Sequence, residues 1–307
     1  MQHNKRTIAL LIFLILVWGI NWPLSKIALA YCPPLLFAGI RTFLAGILLI
    51  AVALPKLKAL RLGTLWPVYL TSAFLSIVFY YGFQTIGLQY MPSGLFSAIV
   101  FLQPVLLGIF AWMWLGEKMY GQKLAGLLLG FSGVAALSIG GFTGKLSATG
   151  VLLALASALS WAFATVYMKR NALRVDMLWM TAMQIMIGGV LLLGAGTVTE
   201  HWSDITWNAA FIVNTLFIAV FVIALGWLVY FKLIQEGEAG KVGAFTFIIP
   251  LVSIGSSIVL LHEHITVNLV VGLLLIVCSI LLVNTRPVPI WGRLVRSKGD
   301  SNVHSRG

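Results

Sequence analysis

The first long apolar run of the sequence carries aromatic and polar side chains at helical spacing. The intervals i, i+3, i+4 and i+7 place four residues on one helix face: Trp18, Asn21, Trp22 and Ser25. Aromatic faces beside an amide and a hydroxyl can stack on a small molecule and hydrogen-bond to it. An amide is costly in hydrocarbon unless it faces protein or a wet cavity. The pattern leaves two interpretations open, a substrate-contacting wall or helix packing with tryptophans anchored at the membrane interface.

Two later apolar runs carry side chains of the same kind. One holds Tyr80, Tyr81 and Gln84, and the other holds Trp227 and Tyr230. Hydroxyls and an amide next to aromatic faces could bind a zwitterion or a ring-containing metabolite. Packing inside a helix bundle is the alternative for these residues.

Arg41 is the only charged residue clearly inside an apolar run. A charge near the bilayer centre costs about 3 kcal/mol or more, but Arg41 lies about 9 Å from the nearer end of its run and could snorkel. Arg41 could instead bind a carboxylate or phosphate group. Snorkelling or an interhelical hydrogen bond is the favoured interpretation at this stage.

Three prolines, Pro23, Pro104 and Pro250, also lie inside apolar runs. Proline lacks an N–H and clashes with the carbonyl four residues earlier, so it bends or breaks a helix. We therefore expect hinges or gates at these positions, and a static kink is the alternative.

The acidic residues avoid the apolar runs altogether. All eight fall in loops, at helix ends or in the tail: Glu117, Asp176, Glu200, Asp204, Glu236, Glu238, Glu263 and Asp300. A carboxylate that alternately holds a proton and a cationic drug is therefore missing, which predicts a neutral or zwitterionic ligand. Glu117 and Glu263 are expected to cap helix ends or to pair with Lys118 or Lys123. His262 and His264 alternate at a helix end and do not share a face, so we predict no metal site and no cofactor.

The amino-acid composition indicates what kind of structure positions these residues. Only 28 of the 307 residues are charged (8 acidic and 20 basic), or 9%, against about 25% in globular proteins. With 60% hydrophobic residues and a mean hydropathy of +1.02, lipid must be the main solvent. This excludes a soluble protein, a disordered chain and a disulfide scaffold, and it argues against nucleic-acid binding.

The sequence divides into ten apolar runs that are long enough for helices that span a bilayer. They cover residues 7–29, 35–54, 65–88, 93–115, 124–141, 149–168, 177–198, 207–234, 240–261 and 267–284. With the amino terminus inside, all but three of the 20 basic residues lie on the cytoplasmic side, the exceptions being Lys26, Arg41 and Lys145. We therefore predict an all-α membrane protein with ten transmembrane helices and both termini cytoplasmic.

The chain also matches itself through scarce residue types. The matched pairs include Trp18 with Trp161 and Lys26 with Lys169 at an offset of 143, and Pro104 with Pro250 and Glu117 with Glu263 at an offset of 146. Each half holds five spans, an odd number, so the second half must enter the membrane with the opposite orientation. Such inverted repeats are typical of secondary transporters. Trp161 thereby becomes a candidate substrate contact, although helix packing is favoured for its span.

These features resemble the EamA type of the drug/metabolite transporter superfamily. The resemblance rests on the segments Val17–Pro23 and Ser160–Ala164, on Arg41 in the second span, and on the segments Pro104–Glu117 and Pro250–Glu263. It implies a ten-helix fold with a central cavity, and commonly export across the bacterial inner membrane. Members of the family handle amino acids, sugars, other metabolites and toxic compounds, so it does not define the substrate.

The sequence thus predicts a secondary transporter in the plasma membrane that exports a small neutral or zwitterionic, amino-acid-like metabolite. Its parts are a first repeat (7–141), a second repeat (149–284) and a basic cytoplasmic tail (285–307). The expected partners are a small-molecule substrate and the lipid bilayer; nucleic acid is not expected, and the oligomeric state stays open. Export of toxic compounds or drugs is the alternative, followed by a channel. An enzyme is not expected, because no His, Asp or Glu lies at membrane depth.

Overall fold

A computed structural model describes residues 2–116, 121–139, 147–235 and 248–284. Within these ranges the chain is helical, joined by turns and short 3₁₀ segments, and it contains no strand. The α-helices are α1 (Gln2–Ala28), α2 (Pro34–Ala53), α3 (Leu62–Ala73), α4 (Tyr80–Gly87), α5 (Ser93–Val100), α6 (Gln103–Leu115), α7 (Gly121–Ile139), α8 (Ala148–Asn171), α9 (Met177–Thr199), α10 (Ala209–Phe217), α11 (Gly226–Gln235), α12 (Ile249–Leu261) and α13 (Val267–Asn284). The predicted tail, the Glu117–Lys118 pair and the start of the ninth predicted span at Gly240 lie outside the described residues.

Seven helical segments are long and apolar enough to cross a membrane. They cover Lys5–Ala28, Pro34–Ala59, Leu62–Gly87, Ser93–Leu115, Ala148–Asn171, Met177–Thr199 and Ala209–Tyr230. Three shorter apolar helices, Leu124–Gly133, Ile249–Leu261 and Val267–Leu282, fall within the fifth, ninth and tenth predicted runs. Many large apolar side chains on the outside are exposed, as expected for a surface that faces lipid. The described part of the chain is therefore all-helical, and the protein is multi-pass.

The fourth predicted span is two helices and not one. The chain leaves the helix after Val100, and α6 restarts with Pro104 in its first turn, where a missing N–H breaks no hydrogen bond. Pro250 occupies the same place in α12. Pro23, in contrast, lies inside the unbroken helix α1.

Helices α6 and α12 also end alike. The residues that follow them, Gly116 and His262, both adopt the left-handed conformation, with φ of 69° and 54°. Glycine adopts this conformation freely, whereas for histidine it is uncommon. The two positions are 146 residues apart, which is the offset that relates the second parts of the two halves in the sequence.

Two spans contain π-helical turns that the hydrophobic pattern did not predict. One covers Phe74–Phe79 between α3 and α4, and the other covers Ile218–Leu225 between α10 and α11. An offset of 146 places the first over residues 220–225. Such turns leave carbonyls less regularly paired than in an α-helix and often lie at functional sites.

Helices α2 and α9 pack backbone against backbone. A Cβ atom added at Gly46 would lie 2.8 Å from the Cα of Met186, and one added at Gly189 would lie 2.6 Å from the backbone nitrogen of Phe43. The contacts are reciprocal, because Gly46 and Phe43 lie 143 residues before Gly189 and Met186, the offset at which the sequence matches itself.

Helices α7 and α13 pack in the same reciprocal way. A Cβ atom at Gly130 would lie 2.8 Å from the hydroxyl of Ser279, and one at Gly133 would lie 2.8 Å from the side chain of Ile276. An offset of 146 converts one contact into the other. The Ser279 hydroxyl also donates to the carbonyl of Gly126, so close helix approach and a hydrogen bond occur together.

Gly189→Ala is expected to destabilise the protein by about 1–3 kcal/mol, because the new methyl group must displace the backbone of α2. The matched control is Gly194→Ala on the same helix, where an added Cβ meets nothing within 4 Å. That change should be neutral or slightly stabilising, since alanine is the better helix former. Thermal unfolding in detergent measures both, and equal midpoints would contradict the packing described for α2 and α9.

Candidate functional site

A small cavity in the centre of the protein is lined by residues from both halves of the chain. It measures about 30 Å³, which is room for one or two water molecules. The lining residues are Trp18, Asn21, Trp22, Tyr80, Tyr81, Phe101, Trp161, Val222 and Trp227. Seven of these nine were candidate substrate contacts in the sequence. This volume is too small for an amino acid, so the lining residues would have to move apart to admit one.

Four aromatic rings of the cavity form a continuous cluster. The ring centroids of Trp18 and Trp161 are 6.5 Å apart in an edge-to-face arrangement. Trp227 lies 5.5 Å from Trp18, and Tyr80 lies 5.5 Å from Trp161. Trp18 and Trp161 are 143 residues apart, the offset at which the sequence matches itself, and their contact joins the two halves of the chain. Packed rings with offset geometry offer faces for a ring, an alkyl chain or an ammonium group.

The π-helical turn before α11 positions Trp18. The indole N–H of Trp18 donates to the carbonyl of Val222 at 3.1 Å, inside that turn. A Cβ atom at Gly226 would lie 2.5 Å from the indole nitrogen, so only glycine leaves room for the ring there. The turn therefore supplies the hydrogen-bond acceptor for Trp18, and Gly226, the first residue of α11, leaves the space that the ring needs.

Arg41 lies beside the cavity in a network of neutral groups. Its guanidinium donates from Nη1 to the Ser25 hydroxyl at 2.8 Å and from Nη2 to Oε1 of Gln84 at 3.2 Å. Ser25 in turn donates to Oδ1 of Asn21 at 3.2 Å. Arg41 is 0% exposed, so the snorkelling interpretation is wrong, whereas interhelical hydrogen bonds are present. The guanidinium carbon also lies 4.9 Å from the centroid of the Tyr81 ring.

Three predicted site residues do not line the cavity itself. Arg41 and Gln84 lie one layer behind it, and Tyr230 packs against Trp18 and Trp227 at 5.5 and 5.6 Å between centroids. Conversely, the cavity includes two residues that sequence reasoning did not assign to it. Phe101 directly follows α5 at the helix break, and only that break, once known, could have indicated it. Val222 gave no signal, because it contributes through a backbone turn.

Two charged residues form hydrogen bonds with the backbone of the turn between α4 and α5. Glu263 accepts hydrogen bonds from the backbone N–H groups of Ser93 at 2.7 Å and Gly94 at 3.1 Å, and from the Ser93 hydroxyl at 2.9 Å. Lys26 donates to the carbonyls of Leu88 and Met91, the latter at 2.8 Å. We call this set the Glu263 clasp. It pairs a carboxylate with a helix N-terminus and an ammonium with a helix C-terminus, as the helix dipole favours.

Glu263 therefore caps a helix end, as expected, but the helix is α5, about 170 residues away in sequence. Glu200 does the same at α2, where its two oxygens accept from the N–H groups of Leu35 and Leu36 at 2.9 and 2.8 Å. Glu263 and Lys26 also attract each other electrostatically. Each carboxylate thus joins one half of the chain to the other.

Cys32, in the turn between α1 and α2, should be almost inert towards thiol reagents. Burial, and secondarily the charge of Glu200, raise the pKa of its thiol to about 12, so the reactive thiolate is scarce at neutral pH. We expect alkylation by iodoacetamide to be slow at pH 7–8 and to increase as the pH rises to about 10, because the thiolate fraction grows. Mass spectrometry of folded and denatured protein measures the rate, and equal rates in both states would contradict this expectation.

The chain matches known transporters over nearly its whole length. Residues 5–139 and 148–285 each match the EamA-like transporter family. An uncharacterized transporter of Bacillus subtilis (strain 168), YvbV, is 61% identical over 92% of this chain and 93% of its own. A protein of Escherichia coli (strain K12) named "Probable amino-acid metabolite efflux pump" is 28% identical over 91% of this chain and 94% of its own.

The fold has a solved counterpart as well. A crystal structure of a protein that is 19% identical superimposes with a TM-score of 0.65 and covers 96% of this chain and 99% of its own. That likeness concerns the fold alone. The family and the relatives named above are transporters, and the helices of this chain are those of a multi-pass membrane protein. The chain therefore functions in membrane transport at the plasma membrane and belongs to the EamA-like transporter family.

Proposed function

We propose that the protein is a secondary transporter that exports a small neutral or zwitterionic, amino-acid-like metabolite. It works by alternating access between two inverted five-helix repeats, residues 7–141 and 149–284, with residues 285–307 as a cytoplasmic tail. The observation that carries the proposal is the aromatic cavity at which Trp18 and Trp161, one from each half of the chain, meet. A site on the axis between two similar halves can be exposed to either side when the halves exchange conformations.

The inverted repeat is supported by backbone features that recur at a constant offset. These are the restart of α6 and α12, their left-handed ends, the two π-helical turns and the reciprocal contacts of α2 with α9 and of α7 with α13. Together with the distribution of basic residues, they favour ten spans with both termini in the cytoplasm. In that topology the Glu263 clasp lies at the outer end of the cavity. The described conformation then corresponds to a state that is closed towards the outside.

An amino-acid-like substrate is supported by the chemistry of the cavity and by the relatives. Indole and phenol rings offer apolar and cation–π contacts, while Asn21 and the network behind it offer hydrogen bonds. Relatives of similar length in Escherichia coli and Salmonella typhimurium are each named "Probable amino-acid metabolite efflux pump". Predicted contacts to the substrate are the ten aromatic, amide and cationic candidates of the sequence. The proposed hinges or gates are Pro23 in α1 and Pro104 and Pro250 at the starts of α6 and α12.

Metabolite profiling of cells with and without the protein tests both substrate and direction. Under the proposal, loss of the protein raises the intracellular level, and lowers the extracellular level, of a neutral or zwitterionic compound class. A lower intracellular level and a higher extracellular level after loss of the protein would indicate import and contradict export. The aromatic lining also fits ring-containing toxic compounds, the alternative cargo, and vigorous antiport of a quaternary ammonium dye would favour that alternative.

A further inference from the structure

Arg41 carries a buried charge that the described part of the chain does not balance. It is fully buried, and its hydrogen-bond partners, Ser25 and Gln84, are neutral. The acidic side chains among the described residues are engaged elsewhere: Glu200 and Glu263 at the ends of α2 and α5, Asp176 at the start of α9, and Asp204 in an exposed turn. A buried charge without a counter-charge is costly. The surroundings of Arg41 therefore favour an anion.

The network also holds two donors without an acceptor. Both Nε of Arg41 and Nε2 of Gln84 are buried and lack a hydrogen-bond partner. A guanidinium edge that includes Nε matches the two oxygens of a carboxylate. Buried polar atoms of native proteins are nearly always paired. Two unpaired donors on either side of one hydrogen bond thus indicate an acceptor that binds during function.

Tyr81 and Asn21 lie between the central cavity and these donors. Tyr81 lines the cavity with one face, and its ring centroid lies 4.9 Å from the guanidinium carbon of Arg41. Asn21 lines the cavity too and connects to Arg41 through Ser25. A rotation of the Tyr81 ring, or a shift of α1 that carries Asn21, would join the cavity to the cation.

We propose that Arg41 binds the carboxylate of the transported substrate, while the ammonium group and the side chain rest against Trp18, Trp161 and Trp227. This rests on the proposed transport function and defines its substrate class as amino acids with one free carboxylate. A single cation balances a monoanion, whereas a phosphate ester carries nearly two charges at neutral pH. The repeat equivalent of Arg41 is Gln184, which bonds to Ser72. The site is therefore asymmetric and holds one carboxylate per cycle.

Ligand-induced thermal stabilisation of the purified protein tests this assignment. The probes are a mixture of the twenty protein amino acids, the matching mixture of their carboxamides, sodium phosphate and sodium chloride. We expect the acids to stabilise the protein at concentrations about 10- to 100-fold lower than the amides, because a charge-assisted pair is lost in the amides. Stabilisation by amides at the same concentration, by phosphate or chloride alone, or by none of the mixtures would overturn the proposal.

Substitutions separate ligand binding from a structural role. In Arg41→Met the preference for acids over amides should vanish, and in Arg41→Lys it should persist but weaken, since lysine lacks the bidentate fork. The matched control is Gln184→Met, at the equivalent buried position, which should keep the preference. A purely structural arginine would lower the unfolding temperature without ligand and leave the acid-to-amide ratio unchanged. If amides are transported as well as acids, the assignment of Arg41 as the carboxylate-binding residue is wrong, but the proposed transport function is retained. If acids bind through Arg41 and no compound is transported, the binding site is retained and the proposed transport function is wrong.

Discussion

Trp161→Ala is expected to lower the transport efficiency, measured as Vmax/KM in proteoliposomes, by about tenfold or more. Trp161 contacts Trp18, Tyr80 and Phe101, with ring centroids at 6.5, 5.5 and 5.8 Å. Such ring contacts contribute about 0.5–1.5 kcal/mol each. Removal of the indole eliminates three of them and also removes an aromatic surface on which the substrate could pack. If Trp161 only packs against its neighbours, Trp161→Ala should lower the stability of the protein and leave KM unchanged.

Two further variants make the result interpretable. Trp161→Phe retains an aromatic face and should keep most of the transport activity. Trp66→Ala removes a tryptophan that is 56% exposed on the lipid-facing side of α3 and should leave transport unchanged. A folded Trp161→Ala protein with normal Vmax and KM would show that the aromatic cluster does not contact the substrate.

Glu263→Gln is expected to shift the protein towards its outward-open state by roughly 10- to 100-fold. The carboxylate accepts three hydrogen bonds at the start of α5, and charge-assisted hydrogen bonds contribute about 1.5–3 kcal/mol. The readout is labelling of Ser97→Cys, one turn after the clasp, by a membrane-impermeant maleimide added from outside. Ser97 is fully buried in the described state. The exposed Cys278 is replaced by alanine in all variants, and the buried Cys32 then gives little background.

Glu200→Gln is the matched control for this experiment. Glu200 also accepts from a helix N-terminus, but it joins α9 to α2, which pack against each other along most of their length. Its replacement should lower stability and leave labelling of Ser97→Cys unchanged. Equal labelling in the two variants would contradict a gating role for the Glu263 clasp.

Most of the residues that line the cavity could be predicted, because helical periodicity and the internal sequence match can both be read directly from the sequence. The period of 3.6 residues brought Trp18, Asn21 and Trp22 to one face, and the offset of 143 brought Trp161 into the set. Both signals depend on residue types that are scarce in an apolar sequence, so they can be recognised without an alignment.

The remaining features depend on contacts between distant parts of the chain. Glu263 caps α5 across 170 residues, and a carboxylate at a helix end carries no sign of the partner it will meet. The burial of Arg41 depends on Ser25 and Gln84, which come from two other helices. Each π-helical turn accepts a hydrogen bond from a distant helix, at Val222 from the indole of Trp18 and at Leu75 from the hydroxyl of Ser160. Tertiary contacts therefore outweigh the local preference for an α-helix there.

Counterflow in proteoliposomes tests the central claim most directly. Vesicles that contain the purified protein are preloaded with a high concentration of the metabolite identified by profiling and are diluted into a trace of the labelled compound. An alternating-access carrier predicts transient, saturable accumulation of label that requires the preload and is lost in Trp161→Ala. Uptake that is independent of the preload and does not saturate, or ion conductance across a bilayer, would contradict the account and indicate a channel.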